Sequence, residues 1–278
     1  MRRLKRVLPW LRWGTVVLLS GLLALDLAFP PRLPGARDTS TMVVAADGTP
    51  LRAFADAEGV WRLPATREGV SPLYVQALLA YEDRWFDRHP GVNPYALLRA
   101  GWQWARGGGI VSGGSTLTMQ VARILDRRPG ATRSLPGKLA QVLRALQLEA
   151  RLSKDEILAL YLERAPFGGT IEGVEAASWA YLGKPAARLS HAEAALLAVL
   201  PQAPSRLRPD RHPEAARAAR DKVLDRMAAL GVWTPQQVRE AKVEAVVARR
   251  LRPPMSAPLL AQRLRAARPR EERIVTTL

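Results

Sequence analysis

Two acids stand side by side where an apolar helix should end: Glu82 and Asp83 open the run Glu82-Asp83-Arg84-Trp85-Phe86-Asp87-Arg88-His89-Pro90-Gly91. A carboxylate in apolar surroundings is driven toward its protonated form, which is how proteins adapt an acid to proton transfer near neutral pH. Spacing decides whether Glu82 has such surroundings. If the helix opening at Ser71-Pro72 runs far enough, Val75, Leu78, Leu79 and Glu82 fall at i, i+3, i+4 and i+7 and share one stripe toward a core or cleft. A helix that stops at Ala80 leaves Glu82 and Asp83 as solvated charges, and periodicity alone keeps both readings open.

A second constellation follows the glycines Gly107-Gly108-Gly109 and Gly113-Gly114. Ser115 or Thr116 can cap the next helix, whose buried stripe is Leu117, Val121 and Ile124. Thr116, Gln120 and Arg123 share a different, polar face. Amide and guanidinium donors aligned with the free N–H groups of a helix start suit a phosphate, although a solvated amphipathic helix has the same pattern. Metal chemistry through thiolates or imidazoles is disfavoured. The chain has no cysteine, and His89, His191 and His212 show no ligand spacing.

The elements that must position these groups can be read in outline. Met42–Ala46 and Leu51–Phe54 flank Asp47-Gly48-Thr49-Pro50 and predict a small hairpin. From Ser71 onward the pattern is helical. Ser153 with Glu156, Ser190 with Glu193 and Thr234 with Gln237 have capping-box spacing, which marks Glu156 and Glu193 as helix caps ahead of catalysts. Residues 13–29 are almost wholly apolar and follow Arg2, Arg3, Lys5, Arg6 and Arg12, the pattern of a transmembrane anchor with a cytoplasmic basic tail (1–12). A cleaved signal peptide is the alternative, with Ala24 and Ala28 as small residues for a cleavage site. Residues 30–41 read as a Pro-rich spacer, 42–245 as the globular domain and 246–278 as a basic linker.

A formal charge of +17 suggests a polyanionic partner. Beyond a membrane anchor that partner is a lipid headgroup or a pyrophosphate-linked intermediate, so nucleic acid is not expected. Arg249, Arg250, Arg252, Arg263, Arg265, Arg268 and Arg270 read as a solvated face. Trp102, Trp104, Ile110 and Val111 are positions that can dip into a bilayer interface, or simply pack.

Taken together, Glu82-Asp83-x-x-Phe86-x-x-His89-x-Gly91 and Gly113-Gly114-Ser115-Thr116-Leu117-Thr118-Met119-Gln120 resemble the first two signatures of the peptidoglycan glycosyltransferases of class A penicillin-binding proteins. Lys154 to Leu162 is similar to the fourth signature and Gly173 to Lys184 to the fifth. Arg164-Ala165-Pro166-Phe167-Gly168-Gly169 and Leu200 to Pro209 match a bifunctional branch of that family. The resemblance spans roughly residues 41–238. No Ser-x-x-Lys or Lys-Thr-Gly triplet of a transpeptidase occurs, and the chain is expected to reach only the linker toward such a domain.

The resemblance implies a mainly α, lysozyme-like domain that polymerises lipid II, with inversion at the anomeric carbon and release of polyprenyl pyrophosphate. It implies Glu82 as general base on the acceptor hydroxyl, with Asp83 tuning it or placing a divalent cation (Mg or Mn). It also implies Phe86, His89, Ser115, Thr116, Gln120, Arg123, Lys138 and Gln141 as the residues shaping the substrate site. Partners are then lipid II, the growing glycan, the bilayer and other cell-wall synthesis proteins, and the location is the bacterial inner membrane with a periplasmic catalytic domain. Two positions depart from the pattern. Gln141 stands where the third signature has Glu, and an amide neither shuttles a proton nor carries charge to a metal. Glu163 stands where the fourth signature ends in Asn. A lysozyme-like lytic enzyme and a catalytically weak scaffold are the competing readings.

Overall fold

The computed structural model describes residues 40–95, 114–126, 135–245, 256–269 and 271–278, with single positions before residue 35 and at 98 and 102. Met1–Leu33 and Pro34–Leu278 are separate compact units. In the first, the described positions are mostly helical, and no helix among described residues is long and apolar enough to cross a membrane. The expected tail 1–12 lies outside the described residues, as does most of the expected anchor 13–29.

The second unit opens with the expected hairpin. Strand β1 (Thr41–Val44) pairs antiparallel with β2 (Pro50–Phe54), and Asp47 closes the turn by accepting the Thr49 N–H at 2.8 Å. A two-residue strand β3 (Trp61–Arg62) follows. Helix α1 (Pro72–Glu82) reaches Glu82, so the longer reading of its apolar stripe holds. Pro72 occupies its first turn, but the Ser71 hydroxyl donates to the Leu189 carbonyl and leaves the helix start uncapped by a side chain. Helices α2 (Leu117–Asp126), α3 (Leu135–Glu149) and α4 (Lys154–Arg164) come next, then strands β4 (Pro166–Gly168) and β5 (Ile171–Glu172). The chain continues through α5 (Val174–Ala177), a single π-helical turn (Ser178–Leu182), α6 (His191–Val199), a 3-10 turn (Leu200–Gln202), α7 (Pro213–Ala229) and α8 (Pro235–Val243). All three expected capping boxes form, at Ser153, Ser190 and Thr234.

The core gathers around α6. Apart from His191 and Glu193 its residues are apolar and buried on every side, so α1 and α7 pack against it as neighbours. Beside this core, β3 pairs parallel with β5, which pairs antiparallel with β4. Arg62, 1% exposed, ties that sheet together through Glu172 and Asp56. Sequence periodicity gave no hint of this sheet, because its strands are two or three residues long.

The C-terminal segment is a correction to the expected linker. Helix α9 (Pro258–Ala267) covers the hairpin, and β6 (Arg273–Val275) adds to β1 in parallel, pairing Val43 with Ile274. Val43, Leu51, Phe54, Ala261 and Ile274 form a small second core. Arg52 and Arg265 stack on the two faces of Phe54, so Arg265 belongs to packing and not only to a solvated face.

Gly173 marks where the fold is least tolerant. It links β5 to α5 at φ +84° and ψ 151°, a region essentially reserved for glycine, and a Cβ there would lie 2.3 Å from the Glu163 carbonyl oxygen. Gly173→Ala should therefore destabilise the domain by about 3 kcal/mol and lower Tm by roughly 6 to 12 °C. A thermal unfolding midpoint equal to that of the unaltered chain would sink this expectation.

Candidate active site

Glu82 sits in the last turn of α1, at the edge of an open groove of ≈ 960 Å³. Its partners come from two distant elements. Gln120 Nε2 on α2 donates to Glu82 Oε2 at 2.8 Å, and Gln202 Nε2, at the end of the 3-10 turn, donates to Oε1 at 2.6 Å. An ionised carboxylate accepts at both oxygens, so this arrangement suits the form that can take a proton. The floor beneath is dry. Tyr74 and Tyr161 are buried with unpartnered hydroxyls, and burial first, with Glu82's charge a lesser cause, pushes both phenols above their ordinary range. Tyr81 on the groove wall is raised in the same way, by burial and then by Glu82.

Asp83 turns the other way. It is buried, its Oδ1 and Oδ2 lie 2.9 and 3.1 Å from His89 Nε2, and Oδ2 accepts the Leu117 N–H at 2.8 Å. A carboxylate at the first residue of a helix satisfies an orphan donor and meets the positive end of the helix dipole. Thr116 completes this start: its hydroxyl accepts the Met119 N–H at 3.1 Å and donates to the Gly91 carbonyl at 2.5 Å. The consequence corrects the expected phosphate cradle. The helix start is filled by Asp83 and Thr116, so a phosphate cannot be held by those N–H groups and must rely on side chains further along α2.

Those side chains are where the polar face placed them. Gln120 and Arg123 line the groove together with Ser115. Lys138 on α3 donates to the Ser115 hydroxyl, and its Nζ is 3.4 Å from Gln141 Oε1, a long contact. Burial first, and the Arg123 guanidinium second, lower the Lys138 pKa from its ordinary value. Three of the expected substrate residues, Ser115, Gln120 and Arg123, thus line one groove, and Lys138 joins them through Ser115 and touches Gln141.

Phe86, His89 and Thr116, expected to shape the substrate site, are all buried. Phe86 is 1% exposed and packs in the main core with the Lys154 ammonium 4.6 Å from its ring. His89 is 6% exposed and engaged with Asp83, and Thr116 is 2% exposed at the helix cap. Phe86 and His89 are not among the residues that line the groove, whereas Thr116 is. Behind it, Lys154 bonds both the His89 carbonyl and Glu149, and Glu149 accepts from Thr118, which fastens α4 and α3 to the back of the site.

Gln202 and Arg226 line the groove without having been singled out as site residues, as do Tyr81 and Tyr95. Gln202 lies within Leu200-Pro201-Gln202-Ala203-Pro204, whose two prolines mark a fixed turn, but nothing local aims that turn at Glu82. Arg226 is one of several charges on α7 and carried no distinguishing signal. Trp102 is 58% exposed and Tyr95 83% exposed, whereas Trp104, Ile110 and Val111 lie outside the described residues.

The Asp83 carboxylate, expected to help place a divalent cation, is already engaged by His89 and the Leu117 N–H. Both groove carboxylates are engaged by amide, imidazole and backbone donors, and among the described residues no group of three His, Asp or Glu side chains is placed to hold an ion.

Comparison with known proteins bears on the same segment. A family model described as Transglycosylase matches residues 47–228. The chain is 59% identical over 237 residues to penicillin-binding protein 1C of Escherichia coli, covering 85% of this chain and 30% of that protein. It is 36% identical over 276 residues to penicillin-binding protein 1A of Pseudomonas aeruginosa, covering 94% and 33%. A crystal structure of penicillin-binding protein 1A from Haemophilus influenzae aligns at 20% identity with a TM-score of 0.44, over 83% of this chain and 24% of that one. The chain therefore spans about a third of the length of these curated relatives. Because the matched span carries the whole groove, from Tyr81 on α1 to Arg226 on α7, the chain belongs to the transglycosylase family.

Proposed function

We propose that this chain is a peptidoglycan glycosyltransferase of lysozyme-like architecture that polymerises lipid II, with its catalytic domain held at the outer face of a bacterial inner membrane. The observation that carries the reading is Glu82, a half-buried groove carboxylate with Gln120 and Arg123 beside it, while Asp83 on the same groove is buried and tied to His89 and the Leu117 N–H. A glycoside hydrolase of the two-acid kind needs a second carboxyl to protonate its leaving oxygen. A pyrophosphate leaves as a stable anion and needs its charge relieved instead, which cationic and amide donors do. One acid and several cations suit transfer better than cleavage.

In this mechanism Glu82 takes the proton of the acceptor 4-hydroxyl as that oxygen attacks the anomeric carbon of the donor from the face opposite the pyrophosphate. The configuration inverts, the C–O bond to pyrophosphate breaks with its electron pair left on the departing oxygen, and Arg123, Lys138 and Gln120 stabilise that charge. Glu82 then loses its proton to solvent. The incubation of purified chain with labelled lipid II tests this directly: glycan strands should lengthen, and strands supplied ready-made should not shorten. Shortening without extension would replace the reading with a lytic one, and neither reaction would leave a scaffold.

Lys138 supplies a pH signature. With its pKa lowered, it gives up its proton at a lower pH than an ordinary lysine, so donor affinity should begin to fall earlier on the alkaline side than an unperturbed ammonium would allow. Arg123→Ala removes one of the two causes. That variant should raise the KM for lipid II while moving the alkaline limb of the KM profile to higher pH. A limb that stays in place would remove Arg123 from the vicinity of Lys138 in the working enzyme.

A further inference from the structure

Gln202 lies 120 positions from Glu82 in sequence, yet its amide nitrogen is 2.6 Å from Glu82 Oε1, directly across the carboxylate from Gln120. Its side chain is exposed. An exposed glutamine loses rotamer freedom when it is held in one geometry, so such a bond persists only where the backbone brings it there at no further cost. The backbone here is fixed from several sides. Leu200 and Pro201 are buried, Leu207 N–H closes on the Ala203 carbonyl, and Arg208 clamps Asp210 through two nitrogens. Gly168, at φ +110°, lets β4 lie so close that a Cβ would stand 3.0 Å from the Pro204 carbonyl oxygen and 2.9 Å from Arg208 Cγ.

We infer that Gln202 is a positioning residue for the general base: with Gln120 it forms a two-sided amide clamp that stops the Glu82 carboxylate from rotating and presents one lone pair to the incoming hydroxyl. The inference rests on the glycosyltransferase reading for its kinetic consequence, but not for the contact itself. Both clamp donors belong to elements remote from α1, so the base is oriented by the closing of the tertiary fold around the groove.

Two measurements decide it. Gln202→Ala should lower kcat for lipid II polymerisation about tenfold with KM unchanged, the size expected when a reacting group is loosened but retained. Gln202→Glu keeps the side-chain size and should lose more, about a hundredfold, because two carboxylates at that separation cannot both ionise and the shared proton occupies the base. A Gln202→Glu variant as active as the unaltered chain would reduce Gln202 to a space-filler and overturn the clamp, as would a Gln202→Ala variant that changes KM alone. Independently of turnover, the 15N side-chain amide resonance of Gln202, assigned by its loss in Gln202→Ala, should move when Glu82 is replaced by Ala. An unmoved resonance overturns the clamp even if polymerisation is confirmed, while a moved resonance in a chain that cannot extend lipid II upholds the clamp and removes the proposed function instead.

Discussion

Glu82→Gln should cut polymerisation by roughly a hundredfold to ten-thousandfold, the range that a positioned general base contributes. The substitution preserves size and leaves α1, its apolar stripe and the core around α6 untouched, so the unfolding midpoint should hardly move. Lipid II affinity should also survive, since Arg123 and Lys138 are unaltered and the removed group acts on a proton that moves only in the transition state. The expected signature is a fall in kcat with KM unchanged, read from extension of labelled lipid II at several concentrations. Yield near that of the unaltered chain would remove Glu82 as the base, and an equal loss of affinity would make it a binding residue.

Asp83, its immediate neighbour, should behave in the opposite manner. Asp83→Ala strands the buried Leu117 N–H at the start of α2 and leaves the buried His89 ring, whose Nδ1 already lacks a partner, without a partner at Nε2. Each of these two buried polar groups left unsatisfied costs about 1 to 3 kcal/mol, so the domain should lose roughly 4 kcal/mol. Polymerisation should fail with it, because α2 carries Gln120 and Arg123. Asp83→Asn separates structure from chemistry. Its remaining carbonyl oxygen can still accept from Leu117, and its NH2 can donate to His89 in the other tautomer, so most stability and activity within about tenfold of the unaltered chain should return. If Asp83→Asn is as inactive as Glu82→Gln while remaining folded, Asp83 takes part in the chemistry and its reading as a cap is wrong.

The contrast between these neighbours marks how far local sequence reaches. Spacing was enough for three capping boxes, for the hairpin and for the Gln120–Arg123 face, because each depends on residues within about two turns of one another, whereas it left the end of α1 open between Ala80 and Glu82. The order of the signatures likewise carried the family. It did not reveal that Phe86 and His89 face inward, although they belong to the same motifs as the groove residues.

That division has a physical cause. Where a chain leaves a helix, as it does after Glu82, no periodicity governs which way the next side chain points, and the outcome is set by whichever unsatisfied donor lies within reach. For Asp83 that donor is the start of α2, 34 residues away in sequence. Gln202, Arg226 and the strand at Arg273–Val275 entered their places through contacts still more remote. The amino-acid sequence by itself determined which groups are available for proton transfer and anion binding and which helices carry them. Only the tertiary structure decided which acid faces the groove, what holds it still, and that the helix start expected to bind phosphate is filled by the protein's own carboxylate, since these depend on pairings of donors and charges across elements that no short-range pattern encodes.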